Sequence, residues 1–491
     1  MRIALTLLLL ASSARASGWH EYETKHFLVR TDLPRGKAEV LLQRLETLHL
    51  LELKAMVGEE VEIPGRLLVV ALSDNATFRA LSDAPDLAGF FTYSRFGEPT
   101  IVFPVDGFTA DPELIAHEMA HYLSWYIYPR QPRWFSEGLA QFYQTIASYH
   151  ESSTVPERGS HIVRAASTGG IGLVGYRSDG VAGQLFWATQ VPVAHLLGWN
   201  GVEDQTRTGR DHFWSWALYH YLWNTHSKQF TRYQQSLGDG GDPDLAWRTA
   251  FPEYDPKAAG ALEKLDAALL SYCKSGRYSF YKVSGEGDAA FRVRDLPPVE
   301  ARLTLLGLRS SWPKDAKERA AALAEEVDAA AGEDPGNPMV RLALEEREKP
   351  AGAASRRAAA AARPGDWRGW LLLGMALTGP GDRVEQEAAL RKAVELNPDN
   401  ASAQNQLAWA LVQAHRAREA LPFANRAADL APWSPSVLDT LANAANQLGK
   451  CPTALVLQRR AAAMDEGGSA DAIHTALHGY EAQCGAGKAA P

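Results

Sequence analysis

The fold predicted for the first half of the chain is decided by the stretch Asp111-Pro-Glu-Leu-Ile-Ala-His117-Glu118-Met-Ala-His121. Asp111 is a favoured residue type for a helix N-cap, and Pro112 suits the first helical position. Pro129 and Pro132 then stop the helix, because proline lacks the backbone N–H that a helix interior requires. The pattern therefore predicts a helix that begins near Pro112 and ends before Pro129.

The spacing of two histidines on this helix predicts a metal site. His117 and His121 are one helical turn apart, so their side chains lie on the same helix face. Neutral imidazole is a good zinc ligand, and the pair can therefore bind one ion. Glu118 points to the rim of the site, where it can take a proton from a zinc-bound water whose pKa is lowered towards about 7. We predict one zinc ion per chain, with Glu118 as the general base.

A third ligand is needed, because catalytic zinc sites hold three protein ligands and keep one position for water. Glu137 is the best candidate, in the stretch Trp134-Phe-Ser-Glu137-Gly-Leu-Ala-Gln-Phe142. We expect it near the start of a second helix from Ser136 to about Ala147, with Ser136 as N-cap. Gly138 leaves room for the two helices to approach closely. Gln141 lies one turn further on and is a candidate for orienting a ligand.

Together, His117-Glu118-Met-Ala-His121 and Trp134-Phe-Ser-Glu137-Gly-Leu-Ala resemble the gluzincin metallopeptidases. More narrowly, they resemble bacterial peptidase-MA-like proteins that carry tetratricopeptide repeats behind the protease domain. The resemblance covers most of residues 19–275, although the specific motifs occupy only 111–142. It implies His117, His121 and Glu137 as zinc ligands and Glu118 as general base, acting on a peptide or protein substrate. The alternative is a helix that carries two surface histidines and a solvated glutamate.

A later aromatic stretch, Asp211-His212-Phe-Trp-Ser-Trp-Ala-Leu-Tyr219-His-Tyr221-Leu, predicts another helix. Relatives often carry a tyrosine three residues before the Ser-Trp pair, and this chain has His212 there. A tyrosine or histidine on such a helix can stabilise the oxyanion of a tetrahedral intermediate. His212, Tyr219 and Tyr221 are the candidates, and an aromatic core helix is the alternative for each.

The first residues predict export. Met1-Arg2 is a short cationic start, an apolar run follows to Ala11, and Ala14-Arg15-Ala16 has the spacing of a signal-peptidase site. The apolar run is too short to span a bilayer, and no cysteine follows it for a lipid anchor. We predict a mature protein without a stable membrane anchor, in the bacterial periplasm or secreted. The alternative is a buried N-terminal strand or helix.

Charge and cysteines add two further expectations. The formal net charge is −8 and no strong basic cluster is present, so nucleic-acid binding has no support. Export permits disulfides, and the chain has three cysteines. Cys273 follows a helical run and is expected as a small buried residue. Cys451 begins one predicted helix and Cys484 ends the next, so antiparallel neighbours would bring them within bonding distance.

The residues around the motif predict an α+β zincin-like domain, in which a small N-terminal sheet precedes the zinc-site helices. We expect a strand from Tyr22 to Thr31, a helix over about 36–57, a strand from Arg66 to Leu72, a short helix near 76–81, and a hairpin of Phe90–Arg95 with Thr100–Val105. Thr100–Val105 is the candidate edge strand that would hold the substrate by backbone pairing. Residues 150–210 are expected to be irregular structure with short elements around the cleft, before helices over 211 to about 237 and 256–272.

The C-terminal part repeats with a period of 34 residues. Small and apolar residues mark helix contacts, and a proline follows the second helix of the first two copies. The first copy has Trp370, Leu373, Gly374, Leu377, Leu390, Ala393 and Pro398; the second has Leu407, Ala408, Leu411, Ala424, Ala427 and Pro432; the third has Leu441, Ala442, Ala445, Ala454 and Ala461. This pattern predicts an all-α tetratricopeptide-repeat solenoid with a concave face. An unrelated alanine-rich bundle is the alternative.

The expected domains are a signal peptide (1–16), a gluzincin-like metallopeptidase domain (17–285), a linker (286–298) and a tetratricopeptide-repeat domain (299–485, clearest over 366–465). The repeats would bind a protein partner, present substrate to the cleft, or brace the catalytic domain. The leading functional hypothesis is an exported zinc metallopeptidase. The rival is a non-enzymatic repeat scaffold with an inactive metallopeptidase-like domain. A zinc hydrolase for another bond, such as a cell-wall amide, is a third candidate.

Overall fold

The structure of the protein is a computed structural model. It describes residues 18–58, 61–82, 88–94, 96–105, 112–148, 171–174, 189–199, 205–275, 279–309, 316–348, 352–464 and 470–485. The predicted signal peptide and the expected N-cap Asp111 lie outside these residues. The described part divides into an N-terminal α+β region and a C-terminal succession of helices.

A mixed six-stranded sheet forms the base of the N-terminal region. Its strands are β1 (His20–Glu23), β2 (Phe27–Thr31), β3 (Leu67–Leu72), β4 (Phe90–Tyr93), β5 (Pro99–Pro104) and β8 (Arg292–Asp295), while β6 (Ile171–Val174) and β7 (Tyr281–Ser284) form a separate two-stranded sheet. Across the larger sheet the strands lie in the order β4-β5-β3-β2-β1-β8. The pairs β2–β3 and β3–β5 are parallel, and the other neighbouring pairs are antiparallel.

Both faces of the central strands are covered, which explains the continuous apolar run Leu67–Leu72. Leu67, Val69 and Ala71 belong to the large core beneath helix α1 (Arg35–Val57). Leu68, Val70 and Leu72 face the opposite way, into a second core with helix α2 (Asn75–Ser82) and helix α10 (Pro298–Arg309). The first C-terminal helix is therefore packed directly on the sheet.

The structure corrects three predictions for this region. The strand expected from Tyr22 to Thr31 is a hairpin of β1 and β2, because Thr24 closes a turn with Phe27 through its backbone N–H and its hydroxyl. Thr100–Val105 is not the edge: β5 lies inside the sheet, and β4 is its outer strand. Residues 286–298 are not a free linker, because they contain β8, which pairs with β1.

Helices that surround the candidate site follow the sheet in the chain. They are α3 (Pro112–Ile127), α4 (Arg133–Tyr143), a 3-10 turn (Gln144–Ser148), α5 (Val193–Leu197), α6 (Gln205–Thr225), α7 (Ser227–Gly238), α8 (Pro243–Ala250), a second 3-10 turn (Pro252–Tyr254) and α9 (Ala261–Ser275). The helix expected over 211 to about 237 is two helices, interrupted at His226. Most of residues 150–210 lie outside the described residues, and the described ones include the short elements β6 and α5 and the start of α6.

The C-terminal region is a succession of helices in which each packs against the next. Helix α10 (Pro298–Arg309) comes first. The helices that follow it are α11 (Ala316–Glu333), α12 (Pro338–Glu348), α13 (Ala353–Ala362), α14 (Trp367–Ala376), α15 (Arg383–Leu396), α16 (Ala401–Gln413), α17 (Ala417–Leu430), α18 (Pro435–Gln447), α19 (Cys451–Met464) and α20 (Ala470–Gly485). Helices α14, α16 and α18 start at 367, 401 and 435, which confirms the period of 34 residues.

The structure confirms the predictions for the three cysteines. Cys451 and Cys484 form a disulfide that ties the start of α19 to the end of α20. Cys273 is free and buried in the large core. Among the described residues, no helix is both long and apolar enough to cross a membrane.

Candidate metal centre

Helix α3 brings two imidazoles together as its spacing predicts. His117 Nε2 and His121 Nε2 are 3.2 Å apart. Both histidines are only partly exposed, because the same helix buries Ile115, Met119 and Leu123 in the core. The helix therefore fixes which face the histidines present.

Glu137 on α4 completes the cluster. Its Oε2 atom lies 3.6 Å from His117 Nε2 and 3.5 Å from His121 Nε2, and the side chain is 2% exposed. Ligands about 2.0–2.1 Å from a tetrahedral zinc ion are separated by about 3.3 Å, so the three separations suit such an ion. Oε2 is buried and has no hydrogen-bond partner among the described residues. The donor set of two imidazoles and one carboxylate therefore fits zinc.

The remaining ring nitrogens are held by neighbouring side chains. His117 Nδ1 lies 2.9 Å from Gln144 Oε1, an atom that can only accept, and His121 Nδ1 lies 3.0 Å from Ser136 Oγ, an atom that can accept. In the tautomer in which Nδ1 donates, Nε2 keeps its lone pair for a metal. Two predictions are corrected here. The orienting amide is Gln144 and not Gln141, and Ser136 binds a histidine instead of capping α4, whose N-cap is Pro132.

Arg133 holds the other side of the Glu137 carboxylate. Its Nη2 atom lies 2.7 Å from Glu137 Oε1, one helical turn away on α4. The guanidinium also stacks over the ring of Trp199, with Cζ 5.6 Å from the ring centroid. One carboxylate oxygen is thus paired with a cation while the other faces the imidazoles.

The cluster shifts the pKa values of its members in opposite directions. Burial lowers the pKa of His117, but contact with Glu137 and the charge of Glu118 outweigh it, and the pKa is raised. Burial raises the pKa of Glu137, but the neighbouring histidines outweigh it and hold the pKa well below its usual value. Glu137 is therefore a carboxylate at neutral pH, which is the form that ligates a metal.

Glu118 lies beside the cluster on α3. Its side chain is 8% exposed, and its charge acts on His117. It is not among the described residues whose ligand atoms gather within 4.8 Å of one another, which are His117, His121 and Glu137. Among the described residues, Glu118 therefore lies outside the group that could hold a metal.

Of the three oxyanion candidates, only His212 lies at the site. His212 Nε2 is 3.6 Å from Glu137 Oε2 and has no hydrogen-bond partner among the described residues. Burial lowers the pKa of His212. Tyr219 packs among Phe135, Phe142 and Phe230 in the core, where Gln234 donates to its hydroxyl. Tyr221 contacts Tyr272 and His226 instead.

Gly138 explains how His212 reaches the site. A Cβ atom on Gly138 would lie 2.5 Å from Ser215 O and 2.9 Å from Tyr219 Cβ. The glycine was expected to let α3 and α4 approach closely, but the structure places that close approach between α4 and α6. Helix α6 can thus pack against α4, and His212, one turn before Ser215, reaches Glu137.

Sequence reasoning missed Arg133 and Gln144. The i,i+4 spacing of Arg133 and Glu137 is a signal that identifies the first, because such pairs share a helix face. Gln144 begins a 3-10 turn after α4. Its direction depends on where the α-helix ends, and the sequence pattern does not give that boundary.

No family model matches the chain, and no curated protein matches it. Similar solved structures include a thermophilic tetratricopeptide-repeat protein of Thermus thermophilus, at 18% identity over 37% of this chain and 98% of that chain, with a TM-score of 0.29. YrrB, a tetratricopeptide-repeat protein, matches at 18% identity over 37% of this chain and 92% of that chain, with a TM-score of 0.26. These TM-scores are too low to assign a fold by similarity. The helical repeat is instead shown by the starts of α14, α16 and α18, which lie 34 residues apart.

Proposed function

We propose that this chain is an exported zinc-dependent metallopeptidase. The observation that carries the proposal is the convergence of His117 Nε2, His121 Nε2 and Glu137 Oε2 at 3.2–3.6 Å from one another. The two imidazole nitrogens lie near Oε2, which accepts no hydrogen bond from the described residues. Burying a carboxylate oxygen without a hydrogen bond is costly, and a cation between the three side chains would reduce that cost.

The chemistry of the proposed reaction divides between metal and protein. Zinc held by His117, His121 and Glu137 supplies the Lewis acidity that lets a carboxylate deprotonate water near neutral pH. Glu118, a buried carboxylate, would accept that proton as the water oxygen bonds to the carbonyl carbon, and would pass it to the amine nitrogen as the C–N bond breaks. Gln144 and Ser136 keep the histidine rings in the ligating tautomer.

His212 is proposed to stabilise the oxyanion of the tetrahedral intermediate. Its Nε2 atom lies beside Glu137 and makes no hydrogen bond with the described residues, which supports this role, because an oxyanion donor must face the reacting centre before charge develops. The tyrosines of the same helix are engaged in the core. The chain therefore offers a histidine at the place where its proposed relatives often carry a tyrosine.

Substrate is proposed to add as a strand along β4. This strand is the outer one of the sheet on the side of α3, and Phe91 contacts Tyr122 of that helix. Backbone pairing to an edge strand gives affinity with little sequence selectivity. This geometry supports a peptide or protein substrate in extended conformation.

The test compares Glu118→Gln with the parent protein. The variant should retain about one zinc per chain, because Glu118 is not a ligand, and should lose peptide hydrolysis. Glu113→Gln, on the first turn of the same helix, is the matched control and should cleave as the parent does. Equal cleavage by parent and Glu118→Gln refutes the assigned mechanism.

A non-enzymatic scaffold is the second candidate, and the helical repeats favour it, since stacked helix pairs commonly serve protein interaction. A zinc hydrolase acting on another amide is the third. Comparing exported protein fragments in cells that carry the parent or Glu118→Gln separates them. Altered peptide fragments support the peptidase, and altered cell-wall fragments support the third candidate. Identical fragment patterns together with normal partner recovery support the scaffold.

A further inference from the structure

The turn that joins β4 to β5 is buried in the repeat region. Phe96, near the tip of this turn, is 7% exposed. It belongs to one core cluster with residues of helices α12, α14, α15 and α16, and its ring meets Trp367 edge-on at 5.3 Å. The repeat residues of that cluster include Leu342, Leu371, Leu372, Leu390, Leu407 and Leu411. An aromatic residue from the N-terminal region thus completes the repeat core.

Polar contacts hold the same turn by its backbone. The carbonyl oxygen of Phe96 accepts hydrogen bonds from Asn400 Nδ2 at 3.3 Å and from Ser402 Oγ at 2.9 Å. Asn400 is 2% exposed and also caps α16 through its oxygen, which accepts from Ala403 N. Because the side chain caps the helix with one atom and binds the turn with another, its orientation is fixed.

The turn itself is shaped for this fit. Gly97 has φ +75°, and a Cβ atom there would lie 3.1 Å from Ser402 Oγ. Within the turn, Ser94 N donates to Glu98 O at 2.7 Å, and Gly97 N donates to Ser94 O at 2.9 Å. The carbonyl of Phe96 is therefore presented outward to α16 by a conformation that favours glycine.

A second contact joins the repeats to the metal-site helix. Trp433, between α17 and α18, packs against Tyr93 at the end of β4 and against Tyr126 of α3, at 5.5 and 5.0 Å between ring centroids. Tyr126 also donates to Leu430 O at 3.2 Å. The repeats therefore contact the outer strand β4 through Tyr93 and helix α3 through Tyr126.

We propose that the surface of the repeats around Trp367 and Ser402 is a receptor for the chain's own β4–β5 turn, and that this docking holds β4 in register beside α3. The occupant is Ser94 with residues 96–98, and Phe96 is the anchor. A buried aromatic side chain in an apolar pocket, surrounded by polar contacts, is the usual form of an energetically dominant anchor. The repeat domain would thereby position the strand along which substrate is proposed to lie.

An effect of the docked turn on substrate binding rests on the proposed function. The docking of the turn on the repeats does not. If β4 pairs with substrate, loosening the turn should weaken substrate binding more than the chemical step, because the metal ligands are carried by α3 and α4. A loss of docking should therefore raise KM for a peptide several-fold and leave kcat within about twofold.

Hydrogen–deuterium exchange on the full-length protein tests the docking. Phe96→Ala should speed exchange of amides in 90–104 on the order of tenfold, with zinc content unchanged. Ser402→Ala should do so to a smaller extent, because one hydrogen bond to the turn is lost. Ser436→Ala is the matched control, since Ser436 holds the same position one repeat later and bonds Ser434 instead.

Several outcomes decide the proposal. Unchanged exchange of 90–104 in a folded Phe96→Ala protein overturns it. If that variant does not fold, equal exchange in Ser402→Ala and Ser436→Ala overturns it. Faster exchange with KM unchanged retains the docking and overturns the role of β4 in substrate binding. A parent protein that binds no zinc and cleaves no peptide contradicts the proposed function, and the exchange result still decides the docking.

Discussion

Arg133 Nη2 lies 2.7 Å from Glu137 Oε1, while Oε2 of the same carboxylate faces three imidazoles. The arginine thus occupies one oxygen and leaves the other for a metal. Because both residues lie one turn apart on α4, the pair is set by the helix and does not depend on loop conformation. The helix itself therefore directs Oε2 towards the imidazoles of His117 and His121.

Replacing Arg133 should therefore weaken zinc binding without removing a ligand. Arg133→Gln is expected to lower zinc affinity by about 10-fold, since losing a partner of a ligand typically costs about 10–100-fold. Arg133→Lys should restore part of the loss because it keeps the charge. Competition with a chelator measures the affinity. Arg130→Gln, which removes a pair with Asp242 outside the site, is the control, and an equal loss there contradicts the assignment.

The identity of the orienting amide gives a paired prediction. Gln144→Ala removes the acceptor of His117 Nδ1 and should lower zinc affinity by about 10–100-fold. Gln141→Ala, three residues earlier, should leave affinity within about twofold. The same chelator competition is the measurement. A larger effect at Gln141 than at Gln144 would reverse the assignment.

Gly138→Ala should destabilise the N-terminal region. The new methyl group would meet Ser215 O at 2.5 Å, so α4 and α6 must move apart. Overpacking of this kind costs about 1–3 kcal/mol, measured as the loss in free energy of unfolding in urea. Gly332→Ala is the control, because its Cβ meets nothing within 4 Å on an exposed helix position. That change should stabilise by about 0.5–1 kcal/mol.

Glu52 provides a prediction on pH. It is fully buried, and neither carboxyl oxygen has a hydrogen-bond partner among the described residues. Burial raises the pKa of Glu52 well above its usual value. The folded protein therefore keeps a proton that the unfolded chain releases above about pH 4.3, and its stability falls as pH rises beyond that point.

Glu52→Leu should accordingly raise the free energy of unfolding at pH 7 by about 1–3 kcal/mol, with a smaller gain at pH 4.5. Urea unfolding at both pH values measures the difference. Glu39→Leu, on the same helix but 42% exposed, should show no such dependence on pH. A Glu52→Leu protein less stable than the parent at pH 7 would contradict the cost assigned to burying this carboxyl group.

Local patterns predicted the parts of the site that lie on one helix. His117 and His121 follow from i,i+4 spacing, and the period of 34 residues follows from the recurring small residues at helix contacts. The third ligand candidate, Glu137, was also found, because its neighbours on α4 form a recognisable motif. These features depend on residues close together in the chain.

Features that depend on distant residues were not predicted. The strand Arg292–Asp295 is short, charged and exposed, so its pattern resembles a linker until β1 is placed beside it. The outer position of β4 depends on the order of all six strands, which β4 and β5 alone do not reveal. Docking of Phe96 on the repeats depends on two regions that no local pattern relates.

Strand β8 pairs with β1, and Asp295 lies opposite His20. The strand that completes the sheet is therefore synthesised long after the strand with which it pairs. Contacts so distant in sequence slow folding, because a long loop must close first. Until Arg292–Asp295 arrive, β1 is a bare edge open to pairing with other chains. A fragment cut before Arg292 is therefore expected to self-associate more strongly than one that ends after α10, because both lack the repeats and only the first lacks β8.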